Sequence, residues 1–467
     1  MSIRSVGFVL VLITAMISAR ATELTPDFAA AHTEVVSNLK DFVRINTSSP
    51  PGDETKAAKL FQGLLSKENI ESEIFEKEVG RGNLVARIKG NGKKKPIILM
   101  GHTDVVGVER EKWSLEPFDA VEKDGYLYGR GTLDDKSMTT VYLEIVLLLK
   151  RLKVPLDRDV IFIAEAGEEG NSTIGMDYLV DKHWDKIEAE YALNEGGGIF
   201  EENGRIKYVA VSTGEKVPRP VFLASKGVSG HASRPRPDNA IVHLAAAVAK
   251  IGAWQPPLRF NETTRLFFQR LATVSPPGEA WLYTHIDDPK VGGQVQEIIR
   301  QTNYLYNSML RTSISPTILK GGFRSNVIPG DALATLDVRA LPDEDMKSFV
   351  EAMRKVIDDP AIDIVQPTGP GRPATPPSPI DSELFAALEH AQQKVFPGSI
   401  TLPQMDAFAT DSAQIRAKGV KAYGLTPVTS EADSARMHGN DERIKLASFQ
   451  QFLQLVWTAV VDVAATK

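Results

Sequence analysis

Two kinds of apolar pattern alternate over the first two hundred positions of the chain. Residues 28–45, FAAAHTEVVSNLKDFVRI, repeat their apolar positions at helical spacing, and residues 138–152, MTTVYLEIVLLLKRL, are long enough for a helix. Residues 95–106, KPIILMGHTDVV, and 158–169, RDVIFIAEAGEE, are short, nearly continuous apolar runs typical of parallel strands covered on both faces. Residues 189–198, AEYALNEGGG, add a short strand. This order predicts an α/β fold, with a mostly parallel sheet flanked by helices.

The pattern changes in the middle of the chain. A helical stretch begins at Ala240, and the segment from Asn326 onward suggests a small sheet that carries helices on one face. These features predict a smaller inserted α+β domain. Residues 255–310 are long and poorly patterned, so no element is predicted there. The Pro- and Gly-rich segment TGPGRPATPPSPI is typical of a linker leading back to the first sheet. The predicted order is residues 22–213, an insertion at 214–369, and a return at 370–467.

The first 21 residues differ from the rest. Arg4 precedes an apolar run from Val6 to Ile17, and Ala19-Arg20-Ala21 follows, which is the pattern of a cleavable secretory signal. The run is shorter than the ~20 residues of a membrane-spanning helix, although an uncleaved anchor remains the alternative. Cleavage after Ala21 changes the formal charge from −6 to −8. We therefore expect export, to the periplasm or outside the cell.

Composition narrows the classes of protein and of site. A chain of 467 residues with 42% hydrophobic and 24% charged residues is typical of a globular protein, and its length favours two domains. The net charge of −6 and the lack of a basic stripe argue against a nucleic-acid partner. The sequence contains no cysteine, which excludes disulfides and thiolate metal sites. Any metal must be bound by His, Asp and Glu.

Polar residues follow three predicted strands. His102 and Asp104 end IILMGHTD, the pair Glu168 and Glu169 ends VIFIAEAGEE, and Glu195 ends YALNEGG. Ligands of open α/β sheets bind at the carboxyl ends of the strands, so we expect these side chains to converge.

Two loops extend this set. Asp134 and Asp135 lie in YGRGTLDDKS before a long helix, and His438 lies in ARMHGNDERI before the last helix. Taken singly, such a histidine is more often structural, and an acidic pair is more often a turn or a helix cap. Together they form a nitrogen and oxygen ligand set suited to zinc, manganese or cobalt.

These motifs carry a family resemblance. The chain resembles the dinuclear zinc amidohydrolases, a family that includes glutamate carboxypeptidase, carboxypeptidase S, aminoacylase, acetylornithine deacetylase and succinyl-diaminopimelate desuccinylase. The matching motifs follow the family's order from about residue 32 to the C-terminus, and they are GHTDVV, GRGTLDDK, EAGEEG, NEGG, KGVSGHASRP, GGFRSNVIP, DVRALPD and MHGNDE. The resemblance implies a zinc-exopeptidase-like catalytic domain with a ferredoxin-like lid or dimerisation domain at 214–369.

The resemblance also implies roles for individual residues. The implied metal ligands are His102 and Glu195 for one zinc ion, Glu169 and His438 for the other, and Asp134 as the bridge between them. Cobalt or manganese are possible replacements for the two Zn²⁺ ions. The neighbouring Glu168 would be the general base, and Asp104 would orient a ligand imidazole.

Further implied roles fall in the insertion. His231 in SGHAS matches a lid histidine that stabilises the tetrahedral oxyanion, often across a dimer interface, so a homodimer through the inserted domain is implied. Asn326 and Arg339 match positions that bind the carboxylate or oxyanion of the substrate, although an exposed strand arginine is an equally good interpretation of Arg339. The remaining histidines lack a motif and are predicted to be structural or exposed: His32, His183, His243, His285 and His390.

The predicted function is that of an exported metal-dependent hydrolase. It would cleave the amide bond of small peptides or N-acyl amino acids by means of metal-activated water. Two alternatives stay open. The enzyme could be an aminoacylase-type deacylase rather than a dipeptidase or carboxypeptidase, or the chain could be an exported binding protein without turnover.

Overall fold

The computed structural model describes residues 25–369 and 371–466. The predicted signal peptide, residues 1–21, lies outside these residues. In the described part of the chain, no helix combines the length and apolar character needed to cross a membrane. The chain divides into two compact units. The first contains the described residues up to Val211, Pro379–Thr401 and those from Lys418 onward, and the second contains Ser212–Ser378 and Leu402–Ala417.

Helices and strands alternate along most of the chain. In chain order, the α-helices are α1 (Phe28–Val43), α2 (Glu54–Lys67), α3 (Lys136–Arg151), α4 (Met176–Lys182), α5 (Trp184–Ile187), α6 (Ala240–Ala253), α7 (Glu262–Thr273), α8 (Pro277–Thr284), α9 (Gly292–Thr302), α10 (Tyr304–Met309), α11 (Met346–Ile357), α12 (Glu383–Val395), α13 (Ser412–Arg416), α14 (Glu431–Ser434) and α15 (Leu446–Ala464). The strands are β1 (Ser72–Glu76), β2 (Gly82–Ile88), β3 (Ile97–His102), β4 (Val121–Lys123), β5 (Tyr126–Tyr128), β6 (Val160–Glu165), β7 (Tyr191–Asn194), β8 (Gly198–Glu202), β9 (Arg205–Glu215), β10 (Val217–Pro218), β11 (Val221–Lys226), β12 (Gly230–His231), β13 (Ser313–Gly321), β14 (Val327–Ile328), β15 (Asp331–Ala340), β16 (Ile362–Val365), β17 (Ile400–Asp406), β18 (Lys421–Gly424), β19 (Val428–Thr429) and β20 (Arg443–Lys445).

The large sheet has the strand order β1-β2-β6-β3-β7-β18-β9-β8-β19. Its central strands β6, β3, β7 and β18 are parallel to one another, with Ile97 opposite Val160 and His102 opposite Glu165. Every residue of β3 and β6 is buried, as expected for strands covered on both faces. The predicted mostly parallel α/β sheet is therefore confirmed, and the antiparallel β2 extends it on one side.

Helix α3 forms the core behind this sheet. It is buried from Lys136 to Leu149 and packs against β3, β6, α1 and α15. Because α3 is covered on most sides, most of its buried positions are apolar, although the polar residues Lys136, Ser137, Thr139, Thr140 and Glu144 are buried as well. Helix α1 is capped by Asp27, whose carboxylate accepts the backbone N–H groups of Ala29 and Ala30.

The second unit contains an antiparallel sheet. β15 pairs with β13 on one side and with β11 on the other, and β16 follows β11. The side chains of β15 alternate between buried and more exposed positions, as expected for a sheet covered on one face. Helices α6 and α11 supply that cover, and their apolar side chains form one core with those of the sheet. The predicted small sheet with helices on one face is present.

Residues 255–310, for which the sequence predicted no element, form four short helices, α7 to α10. Their interior is aromatic, with edge-to-face contacts that join Phe267, Phe268 and Tyr306. Asn261 and Asn303 cap two of these helices through their side chains. The helices are only 6 to 12 residues long, so each gives too short a window for a periodic signal.

The second unit differs in extent from the predicted insertion at 214–369. It continues to Ser378, and it also contains the distant segment Leu402–Ala417. Polar contacts join the distant segment to the rest of the unit. The buried carboxylate of Glu215 accepts the backbone N–H and the hydroxyl of Thr410 at 3.0 and 2.8 Å, and it pairs with Arg416 at 3.0 Å. Such contacts depend on the folded chain, and composition does not reveal them.

Candidate metal centre

The carboxyl ends of β3, β6 and β7 place the predicted site residues along one edge of the sheet. β3 ends at His102, opposite the last residue of β6, Glu165. The turn after β6 carries Glu168 and Glu169, and Glu195 directly follows β7. Parallel strands end at a common edge, which is why three distant motifs meet here.

Helix α3 packs closely against β3, and this packing brings the loop that carries Asp134 and Asp135, here called the acidic loop, to the same edge. A Cβ atom on Gly101 would lie 2.2 Å from Oγ1 of Thr139 and 2.5 Å from Oδ2 of Asp135, so this position requires glycine. The same Asp135 oxygen accepts the backbone N–H of His102 at 3.1 Å. The peptide bond between Asp134 and Asp135 is cis. Asp135 thus ties the acidic loop to the strand that carries His102.

Five of the predicted residues form two ligand groups that share one carboxylate. His102, Asp134 and Glu195 make the first group, and Asp134, Glu169 and His438 make the second. Within each group, one ligand atom from every residue lies within 4.8 Å of the others. Asp134 directs Oδ1 to Nε2 of His102 at 2.9 Å and Oδ2 to Nε2 of His438 at 3.0 Å. A shared carboxylate between two nitrogen and oxygen triads fits two divalent cations.

Hydrogen bonds fix the orientation of the ligand histidines. Nδ1 of His102 donates to the backbone carbonyl of Asp104 at 2.9 Å, which leaves Nε2 directed at Asp134. Such a bond to the second ring nitrogen is typical of metal-ligating histidines. His438 adopts a left-handed backbone with φ of 58°, and its Nε2 also lies 3.0 Å from Oε1 of Glu169.

The structure corrects the predicted role of Asp104. Its carboxylate oxygen lies 3.7 Å from Nδ1 of His102, so the backbone carbonyl, and not the side chain, accepts the imidazole proton. The carboxylate instead accepts the backbone N–H groups of Gly167, Glu168 and Glu169 at 2.9, 3.2 and 3.2 Å. Asp104 therefore holds the turn that carries both glutamates. The three backbone N–H groups lie within hydrogen-bonding distance of the Asp104 carboxylate, whereas the ring nitrogen, 3.7 Å away, does not.

Two further acids have no role predicted from the sequence. Asp135 is buried and bonds to the β3 backbone. Glu442 is fully buried, and it accepts the backbone N–H of Leu133 at 2.7 Å, one residue before Asp134. The sequence offers one indication of these two acids: each lies in a motif, LDDK or MHGNDE, that also contains a predicted metal ligand.

The electrostatics of the two groups favour a bound cation. Burial lowers the pKa of His102, but the hydrogen bond with Asp134 and the charge of Glu195 outweigh it and raise that pKa well above its usual range. Hydrogen bonds with Asp134 and Glu169 raise the pKa of His438 to about 10. Both shifts reflect an excess of negative charge that a divalent cation would neutralise.

Two of the buried carboxylates at this edge, Glu195 and Asp135, have raised pKa values. Burial and the neighbouring charge of Glu168 raise the pKa of Glu195 well above its usual range. Burial, offset in part by His102, likewise raises the pKa of Asp135. Glu168 belongs to neither triad, but its negative charge contributes to the raised pKa of Glu195. Glu168 is also partly exposed, which suits a group that exchanges protons.

The other predicted site residues belong to the second unit. His231 is exposed on β12, which pairs with β14. Its Nδ1 accepts the backbone N–H of Ser233 at 3.1 Å, so the neutral ring carries its proton on Nε2 and presents that N–H as a donor. Asn326 is exposed, and its backbone carbonyl accepts the N–H of Ala232 at 3.0 Å.

Arg339 already has a partner in the second unit. Its guanidinium makes two hydrogen bonds with the carboxylate of Asp337, at 2.8 and 3.1 Å, from a neighbouring position on the same face of β15. This pairing agrees with the interpretation of Arg339 as a partly exposed strand arginine. The five histidines predicted to be structural or exposed all lie outside the two ligand groups.

Comparison with known proteins finds related sequences and a matching family. The model of the peptidase family M20/M25/M40 matches residues 98–461. The N-fatty-acyl-amino acid synthase/hydrolase PM20D1 of Homo sapiens is 28% identical over 421 residues, which cover 86% of this chain and 80% of that protein. Aminoacylase-1B of Rattus norvegicus is 29% identical over 441 residues, covering 92% and 95%.

A solved structure supports the fold. The M20 family metallo-carboxypeptidase Sso-CP2 from Sulfolobus solfataricus has a TM-score of 0.69 with 19% sequence identity. The match covers 92% of this chain and 99% of that protein.

Proposed function

This chain belongs to the peptidase family M20/M25/M40, whose members hydrolyse amide bonds, and we propose that it is an exported dinuclear zinc enzyme that cleaves N-acyl amino acids. Small peptides with a free carboxylate are the second substrate class. The observation that carries the proposal is the pair of ligand triads joined through Asp134, with Glu168 next in the chain to the ligand Glu169. The names of PM20D1 and the aminoacylase favour the N-acyl amino acid over the peptide.

The chemistry divides between the metal ions and the side chains. Two divalent cations, when bound, polarise the amide carbonyl and lower the pKa of the attacking water. Glu168 accepts the proton of that water on its carboxylate and delivers it to the leaving nitrogen. We assign the stabilisation of the oxyanion to His231, whose Nε2–H is held ready as a donor by the N–H of Ser233. Asn326 is assigned to the carboxylate or oxyanion of the substrate.

The donor set supports zinc as the metal. Each triad offers one imidazole nitrogen and two carboxylates, and the chain has no cysteine to add a softer ligand. Zinc binds such mixed nitrogen and oxygen sets with open coordination positions in catalytic sites. Cobalt and manganese accept similar ligands, so they are the alternatives that metal analysis must separate.

Dimer formation and export complete the proposal. In the second unit, Ile318 and Leu319 of β13 and Ile241 and Val242 of α6 expose their apolar side chains. β13 pairs with β15 on one side only within the described residues, and a second copy could continue the sheet there. The signal-like sequence of residues 1–21 supports export.

Metal analysis and a substrate panel test the proposal together. The purified chain is analysed for zinc, cobalt and manganese, and it is then assayed with N-acetyl-, N-octanoyl- and N-oleoyl-phenylalanine and with the dipeptide Ala-Phe. We expect about two zinc ions per chain and faster hydrolysis of at least one N-acyl compound than of Ala-Phe. Faster hydrolysis of Ala-Phe would favour a dipeptidase over an aminoacylase. A chain that binds metal but hydrolyses none of these compounds would favour a binding protein.

A further inference from the structure

A buried acid outside both ligand groups joins the two loops that carry Asp134 and His438. Oε1 of Glu442 accepts the backbone N–H groups of Leu133 at 2.7 Å and Asp134 at 3.3 Å. Oε2 accepts the backbone N–H of Gly131 at 3.0 Å. Glu442 is fully buried and lies only four residues after His438 in the chain. One carboxylate therefore fixes the backbone of the acidic loop from the other loop.

Arg130 completes the connection from the opposite direction. Its Nη1 donates to Oε2 of Glu442 at 2.6 Å, and its Nη2 donates to the backbone carbonyl of Gly439 at 2.7 Å. Gly439 is the residue after His438, so this second bond fixes the loop on which the histidine lies. Arg130 is almost fully buried, and its guanidinium lies 5.2 Å from the ring centre of Trp113.

From these contacts, we propose that Glu442 and Arg130 are positioning residues that set Asp134 and His438 at the separation needed for the second metal ion. Glu442 has two of the three ligands of the second group on the loops it joins, but only Asp134 of the first group. The pair should therefore matter more for the second metal ion than for the first. This inference rests on the proposed dinuclear site, but not on the nature of the substrate.

Glu442→Gln is the primary test. Its amide can keep one acceptor for Leu133, but its NH₂ group would face the donors of Arg130 and Gly131. The hydrogen bonds of that oxygen, which connect the two loops, would therefore be lost. The metal-free chain is titrated with Co²⁺ alone and followed by visible absorption and calorimetry. We expect one of the two equivalents, the ion of the second group, to bind about 10- to 100-fold more weakly than in the wild type, with a smaller change for the other.

Two further variants separate positioning from general stability. Glu54 and Arg81 form a comparably buried bidentate pair at 2.5 Å in the same unit, and neither residue belongs to a ligand group. Glu54→Gln should lower the thermal midpoint and change the metal affinities less than Glu442→Gln does, because neither Glu54 nor Arg81 hydrogen-bonds to the loops that carry Asp134 and His438. Arg130→Lys supplies a milder change, since an ammonium group cannot donate to Glu442 and to Gly439 in the same fork geometry. Arg130→Lys should weaken the binding of the ion of the second group alone.

Amide exchange of the metal-free chains gives a readout independent of turnover. Peptides covering residues 129–135 and 436–441 should exchange faster in Glu442→Gln and unchanged in Glu54→Gln. The inference is overturned if Glu442→Gln and Arg130→Lys bind both equivalents within twofold of the wild type, or if Glu54→Gln weakens them equally. If Glu442→Gln does not fold, Arg130→Lys decides alone. A wild type that binds two Co²⁺ ions without hydrolysing any substrate overturns the proposed function only.

Discussion

The carboxylate of Asp104 accepts the backbone N–H of Glu169 at 3.2 Å. Glu169, a ligand of the second group, is thus held by Asp104, which follows the strand that carries His102 of the first group. Because the same carboxylate also accepts the N–H of Glu168, the proposed base and the proposed ligand share one anchor. Their relative placement depends on that single side chain.

Asp104→Asn should reduce both metal binding and turnover. The asparagine keeps one oxygen for Gly167 and Glu168, but its NH₂ group cannot accept the N–H of Glu169. Metal titration and steady-state kinetics should show a loss of about 10- to 100-fold in second-site affinity and in kcat. Asp159→Asn is the control, because Asp159 also accepts a backbone N–H, that of Gly90, at the opposite ends of the strands. Equal losses in both variants would reject the anchoring role.

His231→Ala should act on the chemical step. If Nε2–H stabilises the developing oxyanion, its removal should lower kcat by about 100- to 1,000-fold while KM changes little. Ser233→Ala is the matched control, since the backbone N–H of Ser233 still fixes the ring tautomer, and it should cost only a few-fold. A rise in KM alone would assign His231 to substrate binding instead.

Leu319→Lys should produce a monomer. The side chain of Leu319 is 62% exposed on β13, and a buried lysine at a sheet-to-sheet junction would lose its hydration without a partner. Light scattering after gel filtration gives the molar mass directly. Val79→Lys, at a 98% exposed valine of the first unit, should leave the molar mass unchanged. A wild type that is already monomeric would contradict the proposed dimer.

Glu144→Gln should stabilise the protein at alkaline pH. Glu144 is fully buried in α3, neither of its oxygens has a hydrogen-bond partner among the described residues, and Arg151 lies 3.8 Å away. Burial, together with the charges of Glu34 and Glu68 and against that of Arg151, raises the pKa of Glu144 from 4.5 to about 8.

The sign of this effect follows from the proton that the folded state retains. The stability contribution of the protonated carboxyl is complete below pH 4.5 and is lost as the pH rises through about 8. Glutamine cannot ionise, so at pH 9 the variant should exceed the wild type by on the order of 2–4 kcal/mol. At pH 4.5 the two should be similar. Thermal midpoints measured at both pH values check this, and a gap that does not change with pH would contradict it.

The sequence predicted the convergence of the site well because strand ends in a parallel sheet leave little freedom. β3 and β6 are parallel neighbours in which His102 lies opposite Glu165, so the residues that follow the two strands meet at one edge. Asp134 and His438 could be placed only by resemblance, since loops bring them to the edge of the sheet.

Other features depended on contacts that no local pattern encodes. Asp104 faces three backbone N–H groups rather than the ring of His102, which is a property of the folded turn. The carboxylate of Glu442 is buried by residues some 300 positions earlier in the chain. Leu402–Ala417 belongs to the second unit, where Thr410 and Arg416 bond to the distant Glu215.

The central claim is that neighbouring glutamates divide two tasks, with Glu169 binding metal and Glu168 transferring protons. It is tested most directly by measuring turnover and bound metal in Glu168→Gln and Glu169→Gln side by side. We predict that Glu168→Gln keeps both metal ions and loses about 10²- to 10⁴-fold in kcat. Glu169→Gln should bind the second metal ion more weakly. If Glu168→Gln hydrolyses substrate at the wild-type rate, or loses a metal ion as Glu169→Gln does, the division of tasks is contradicted.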